Sequence, residues 1–117
     1  MVDLRLRLGN RGERIAERFL KKKGYRILER QFRTRFGEID LIAKEGDEII
    51  FVEVKTRSNV LFGYPEESVT EAKLSKIQRV AEFYLSSLAS QPSYRIDVIA
   101  IEDQKGEGSI YHLKAVG

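Results

Sequence analysis

Apolar and charged positions alternate most clearly between residues 37 and 57. There Gly37-Glu38-Ile39-Asp40-Leu41-Ile42-Ala43-Lys44-Glu45 and Glu48-Ile49-Ile50-Phe51-Val52-Glu53-Val54-Lys55-Thr56-Arg57 flank a Gly46-Asp47 pair. The pattern predicts a β-hairpin, and a two-residue loop fixes its register: facing residues have numbers with the same total as the two turn residues. Asp40 then faces Glu53, Glu38 faces Lys55, Ile42 faces Phe51 and Lys44 faces Ile49, all on one side of the ribbon. Ile39, Leu41 and Ala43 lie against Val54, Val52 and Ile50 on the other side, which is wholly apolar. Facing Cβ atoms are roughly 4.5 to 5.5 Å apart, so the carboxylates of Asp40 and Glu53 would converge. Unpaired like charges in such a strand pair cost on the order of several kcal/mol. A divalent cation held by both acids would offset that cost, with Lys55 adding positive charge beside them. A structural ion pair from Lys55 to Glu38 or Glu53 is the plainer alternative.

From Asn10 to Lys23 the period becomes helical, with Gly12, Ile15, Ala16, Phe19 and Leu20 in one stripe, Asn10 as cap and Gly24 as terminator. Glu13 falls at the edge of that stripe, where it either looks inward over the polar end of a sheet or serves the helix dipole. Before the helix, Leu4, Leu6 and Leu8 alternate with Arg5 and Arg7. This strand-like arm over residues 1–8 leaves residues 9–117 as a single domain.

Tyr25 to Arg33 reads as a strand leading to a basic turn, Arg33-Thr34-Arg35-Phe36. With Arg30 it forms a candidate phosphate-binding edge, a solvated charge run being the simpler reading. After Arg57, a Gly/Pro loop carries Leu61, Phe62 and Tyr64, a flap able to stack on a base or to pack beneath itself. Ser68-Val69-Thr70-Glu71 has the form of a capping box. The helix it opens turns Val69, Ala72, Ile77, Val80, Ala81, Tyr84, Leu85 and Leu88 to the core and ends before Gln91-Pro92. Lys73, Lys76 and Arg79 form a slanting basic row along it. Tyr94 to Ile101 is apolar on both parities, hence a buried strand. A turn over Asp103 to Gly108 precedes an edge strand over Ser109 to Val116. Asp97 interrupts the buried strand much as Asp40 does, with no partner that sequence can name.

Composition narrows the chemistry. At 117 residues, 42% hydrophobic and 33% charged, the chain fits one globular domain. It has no run of some 18 apolar residues for a membrane span, and its Leu/Arg start is unlike a signal peptide, so a cytoplasmic protein is expected. Absence of cysteine excludes disulfides, thiolate metal sites and a cysteine nucleophile. The single histidine, His112, cannot build a zinc site alone and reads as structural. A net charge of +3 favours an anionic partner only weakly.

The order helix, three strands, helix, two strands, with Glu13, Asp40, Glu53 and Lys55 at these positions, resembles the YraN family. That family is similar to endonucleases of the PD-(D/E)xK superfamily, especially archaeal Holliday-junction resolvases. The resemblance runs from about Gly9 to the C-terminus. It is carried by Gly12-Glu13 with Ala16, Gly37-Glu38-Ile39-Asp40-Leu41-Ile42, Phe51-Val52-Glu53-Val54-Lys55-Thr56-Arg57, Phe62-Gly63, Val69-Thr70 with Lys73, and Arg95-Ile96-Asp97-Val98. It implies an α/β, restriction-endonuclease-like three-layer fold with a central mixed sheet flanked by helices. By position, Asp40 and Glu53 match the metal-binding acids, Lys55 the superfamily's lysine and Glu13 the helix glutamate; Ile39 stands where the motif's name gives proline. The expectation is a Mg²⁺-dependent DNA endonuclease, with Mn²⁺ as substitute. Branched or single-stranded DNA would be held by Arg33, Arg35, Arg57, Lys73, Lys76 and Arg79, in a homodimer by analogy. The competing expectations are a non-catalytic, structure-specific nucleic-acid binder retaining a relic metal site, and a protein-interaction module.

Overall fold

A computed structural model of the chain describes residues 4–57, 70–104 and 107–116. Helix α1 (Leu4–Lys22) leads into strands β1 (Arg26–Thr34), β2 (Gly37–Glu45) and β3 (Glu48–Arg57). Helix α2 (Glu71–Ser86) and strands β4 (Tyr94–Gln104) and β5 (Glu107–Leu113) follow. The strands form one sheet in the order β1-β2-β3-β4-β5, and this is the mixed sheet that the family resemblance implies. Neighbours are antiparallel except β3 and β4, whose parallel pairing needs the crossover that contains α2.

The helices cover opposite faces. Ala16 and Leu20 of α1 pack on Leu41, Ala43, Ile50, Val52, Ile99 and Ile101. Ile77, Val80, Ala81 and Leu85 of α2 pack on Ile42, Ile49, Phe51 and Ile96. Strand β4 is apolar on both parities because both its faces lie under a helix. Among the described residues, no helix is long and apolar enough to cross a membrane.

Helix α1 begins at Leu4, so the Leu/Arg alternation is helical and not a strand-like arm, and Asn10 lies inside the helix and does not cap it. Leucine and arginine are both strong helix formers, and their spacing satisfies either period over so short a run. Gly24 ends the helix as expected. At φ 92° its N–H donates to the Lys21 carbonyl, and the next amide, of Tyr25, reaches back to Leu20, closing a Schellman motif over two buried side chains.

Helix α2 is capped by Thr70, whose hydroxyl accepts from the Lys73 amide at 3.2 Å; the expected cap, Ser68, with Val69 and the flap residues Leu61, Phe62 and Tyr64, lies outside the described residues. Ala72 is exposed, since it stands five residues before Ile77 and so misses the buried stripe. The expected turn at 103–108 is narrower: Asp103 pairs with Gly108 and Gln104 with Glu107, so β4 and β5 run closer to each other's ends.

The central hairpin adopts the predicted register, with Leu41 facing Val52, Ile42 facing Phe51, Ala43 facing Ile50 and Lys44 facing Ile49. Gly46, at φ 59°, takes the first place of its turn, where a primed hairpin turn favours glycine.

Candidate active site

The β2–β3 ladder ends at Leu41–Val52, one step short of the expected Asp40–Glu53 pair. Side-chain alternation slips at the same place. Ile39 packs in the α2 cluster whereas Leu41 packs in the α1 cluster, although a regular strand would put both on one face. The Val54 amide, left without a strand partner on β2, donates to Asp40 Oδ2 at 2.8 Å. Asp40 therefore serves as a backbone acceptor at the point where the two strands part.

Strand β1 is irregular at the matching level. Arg30 pairs with Leu41 and Phe32 with Ile39, but Gln31 between them, opposite Asp40, stands at φ 47°. That left-handed conformation costs a non-glycine residue about 1 kcal/mol or more. It sends the Gln31 amide to Glu13, whose Oε2 accepts from Nε2 at 3.1 Å. Helix α1 reaches this spot through Gly12, where any Cβ would collide with Thr56 Oγ1 on β3. The bare glycine lets the helix lie on the strand and delivers Glu13 to the acids.

Electrostatics identify what has been gathered. Burial raises the Asp40 carboxyl to about 7; the Val54 amide opposes this, and the charges of Glu53, Glu13 and Glu38 reinforce it. Burial also raises Glu13, partly countered by hydrogen bonds with Gln31 and with Asp40 itself. Glu53 is raised by burial too, against the pull of Lys55, whose Nζ lies 3.5 Å from Glu53 Oε1. Glu38, expected opposite Lys55, instead pairs with Arg33 at 3.4 Å. One turn along α1, Glu17 shows the contrary case: the fork of Arg30, at 2.6 and 2.8 Å, with help from Lys21, holds it down to about 2. Arg30, part of the expected phosphate-binding edge, is thus committed to Glu17.

Glu13, Asp40, Glu53 and Lys55 accordingly meet at one end of the sheet. Among the described residues, no three or more carboxylate or imidazole side chains stand close enough together to hold a metal ion as they are placed. The donors that do gather are oxygens, the kind a hard cation takes. Of the expected DNA contacts, Arg33 and Arg35 flank the β1–β2 turn, and Lys76 and Arg79 are exposed on α2. Lys73 is half-buried in the first turn of α2, and the side chain of Arg57 lies outside the described residues. Gln31 was missed by sequence reasoning, because a glutamine in a strand carries no signal of a reversed φ.

A second polar cluster lies toward the hairpin turn. Asp97 is fully buried and accepts from Arg95 Nε at 3.0 Å, from the Ala115 amide at 3.0 Å and from His112 Nε2 at 2.7 Å. Lys23 approaches His112 Nδ1 at 3.4 Å, and an ammonium can only donate, so the ring hydrogen sits on Nε2 and points at Asp97. Arg95 also bridges Glu45 and Glu48 at 3.2 and 2.7 Å, and donates to the Tyr25 hydroxyl at 2.7 Å. Burial pushes Asp97 up, but the bonds from His112, Arg95 and Ala115 outweigh it and hold the carboxyl below its ordinary range. His112 is the structural residue the sequence suggests.

Comparison with known proteins gives a family without a described activity. The model of the uncharacterised protein family UPF0102 matches residues 12–101. The chain is 52% identical over 95 residues to a UPF0102 protein of Caldicellulosiruptor saccharolyticus, covering 80% of each chain. It is 50% identical over 103 residues to one of Thermodesulfovibrio yellowstonii, covering 88% of this chain and 92% of that one. It is likewise 52% identical over 95 residues to one of Clostridioides difficile, covering 80% and 82%.

Proposed function

We propose that this chain, which belongs to the uncharacterised protein family UPF0102, is a metal-dependent DNA endonuclease of the PD-(D/E)xK type, acting on branched or single-stranded intermediates of recombination and repair. One observation carries the reading: Asp40, pushed up to about 7, stands among Glu13, Glu38 and Glu53, and Glu53 has the Lys55 amine 3.5 Å away. Accepting the Val54 amide needs only a neutral acceptor, so the fold has no use for a carboxylate among three other acids. Perturbed acids with this kind of cause are typical of working sites.

Asp40 and Glu53, assisted by Glu13, would hold Mg²⁺ or Mn²⁺, since a dication offsets the repulsion among these oxygen donors. Such an ion supplies a Lewis acid and an activated water for in-line attack on a phosphodiester. The residues of the chain do the rest. The Val54 amide fixes one oxygen of Asp40, so its carboxyl is oriented before any ligand arrives. Gln31 restrains Glu13 in the same way. Lys55, lightly tethered to Glu53, would turn its ammonium to a non-bridging phosphate oxygen or to the attacking water, adding positive charge where negative charge develops.

The test is a cleavage panel of four-way junctions, flaps and single strands with Mg²⁺ or Mn²⁺. Cutting of at least one substrate is expected, and Lys55→Ala should lose about a hundredfold or more in rate with its circular dichroism unchanged. No product on any substrate, or undiminished cutting by Lys55→Ala, overturns the proposal. Salt-sensitive DNA binding without product, unchanged in Asp40→Asn, would point instead to a non-catalytic binder.

A further inference from the structure

Helix α2 carries a stripe that lies outside its buried face and whose cations have no acidic partner among the described residues. Lys76, Arg79 and Phe83 follow one another at spacings of three and four residues on one face, and Phe83 is 48% exposed. The stripe borders the β1–β2 turn: the Phe83 ring centroid is 6.3 Å from that of Phe36 and 6.5 Å from that of Phe32. The guanidinium carbon of Arg35 lies 4.9 Å from the centre of the Phe36 ring. Phe36, Arg79, Glu82 and Phe83 line a shallow cavity of about 350 Å³. Glu82, the acid there, accepts from Gln78 at 3.2 Å, whereas Lys76 and Arg79 pair with no carboxylate among the described residues.

This combination selects among partners. A merely solvated face needs no rings. Protein–protein patches favour arginine and aromatic rings but are depleted of lysine and acids, whereas here Lys76 and Glu82 stand beside the rings. A ligand that is flat and apolar at its centre and anionic along its border satisfies both features, and a nucleic-acid strand with unpaired bases has that form. In an uninterrupted duplex the bases stack on each other and offer no face.

We infer that Phe36 and Phe83, with Arg35, Lys76 and Arg79, form a shelf on which unpaired bases of a DNA strand stack next to the acids. The chain links the two: Phe36 precedes Glu38 by two residues, and Glu38 pairs with Arg33 at 3.4 Å across the β1–β2 turn. Four residues of extended chain from Phe36 to Asp40 span about 13 Å. That the shelf feeds a cutting site rests on the nuclease reading; that it binds unpaired bases does not.

Fluorescence anisotropy separates the two. A labelled short oligothymidylate and a blunt duplex of the same length are titrated in EDTA at low salt, with the intact protein and with Phe83→Ala and Phe83→Leu. The expected result is a preference for the single strand, about a tenfold loss of that affinity in both variants, and an unchanged duplex affinity. Phe83→Leu keeps apolar bulk on the helix, so a loss there reports the ring and not the fold. No DNA binding, a duplex preference, an equal loss on both DNAs, or no loss overturns the shelf. Single-strand affinity that depends on Phe83, in a protein that cuts nothing with Mg²⁺, leaves the shelf standing and retires the nuclease reading. Cutting by a protein whose binding ignores Phe83 does the reverse.

Discussion

Asp40 and Asp97 interrupt apolar strands on either side of β3 and meet opposite fates. Asp97 receives a guanidinium, an imidazole N–H and a backbone amide, and its carboxyl is held low despite complete burial. Asp40 receives one amide and three acidic neighbours, and its carboxyl rises to about 7. Burial acts on both in the same direction, so the difference lies in the company each keeps. A satisfied buried charge is part of the framework; one surrounded by its own sign is what the proposed cation would offset.

The contrast breaks most visibly at Asp97. Asp97→Ala strands Arg95 and His112, and a loss of about 3 kcal/mol is expected in urea unfolding, near the lower end for a broken buried pair because Arg95 keeps Glu45 and Glu48. A loss under about 1 kcal/mol would remove Asp97 from the framework.

Asp40→Asn should behave in the opposite sense. Cleavage falls about a hundredfold or more while stability at pH 8 rises, because one of the repelling charges is gone. The sign follows from linkage. Asp40 binds its proton more tightly folded than unfolded, so its stabilising contribution is complete below the ordinary value of 3.8 and is lost as pH climbs toward about 7. Asp97, held low, contributes above the ordinary carboxylate range and fails as pH falls through its depressed value. The advantage of Asp40→Asn over the parent should therefore grow from pH 4 to pH 8 in urea titrations, and parallel profiles would contradict the reading of Asp40.

The smallest effect concerns the brace between β1 and helix α1. Gln31→Gly relieves the reversed φ but deletes the bond to Glu13, so net stability should move by less than about 1 kcal/mol. Mg²⁺ affinity, measured by calorimetry, should nevertheless drop as Glu13 loosens. Unchanged affinity would make Gln31 a bystander.

Much of this was legible in the chain. The Gly46-Asp47 turn set the hairpin register, and the alternation on either side of it chose the faces, so Asp40, Glu53 and Lys55 could be grouped before any coordinates. Glu13 was reachable because a helical stripe has an edge. What could not be read were departures from period. The ladder's early end and the flip of Ile39 depend on Asp40 bonding to an amide fourteen residues away, and local patterning does not encode that. The partners of Asp97 lay equally out of reach, since His112 and Ala115 meet it only once β5 folds back. The start of α1 failed for a different reason: leucine and arginine fit two periods over five residues.

Arg95 ties Glu45 and Glu48 together just beyond the last pair of the hairpin, while the other end of the same ribbon has already come apart at Leu41. The ribbon is thus riveted at its closed end and forked at its open end, where the Asp40 carboxylate itself takes the Val54 amide. If the proposed cation binds there, the Arg95 bridge and the Asp40–Val54 bond would hold the strands in place, and selectivity among ions should follow ionic radius more than the work of reshaping the protein.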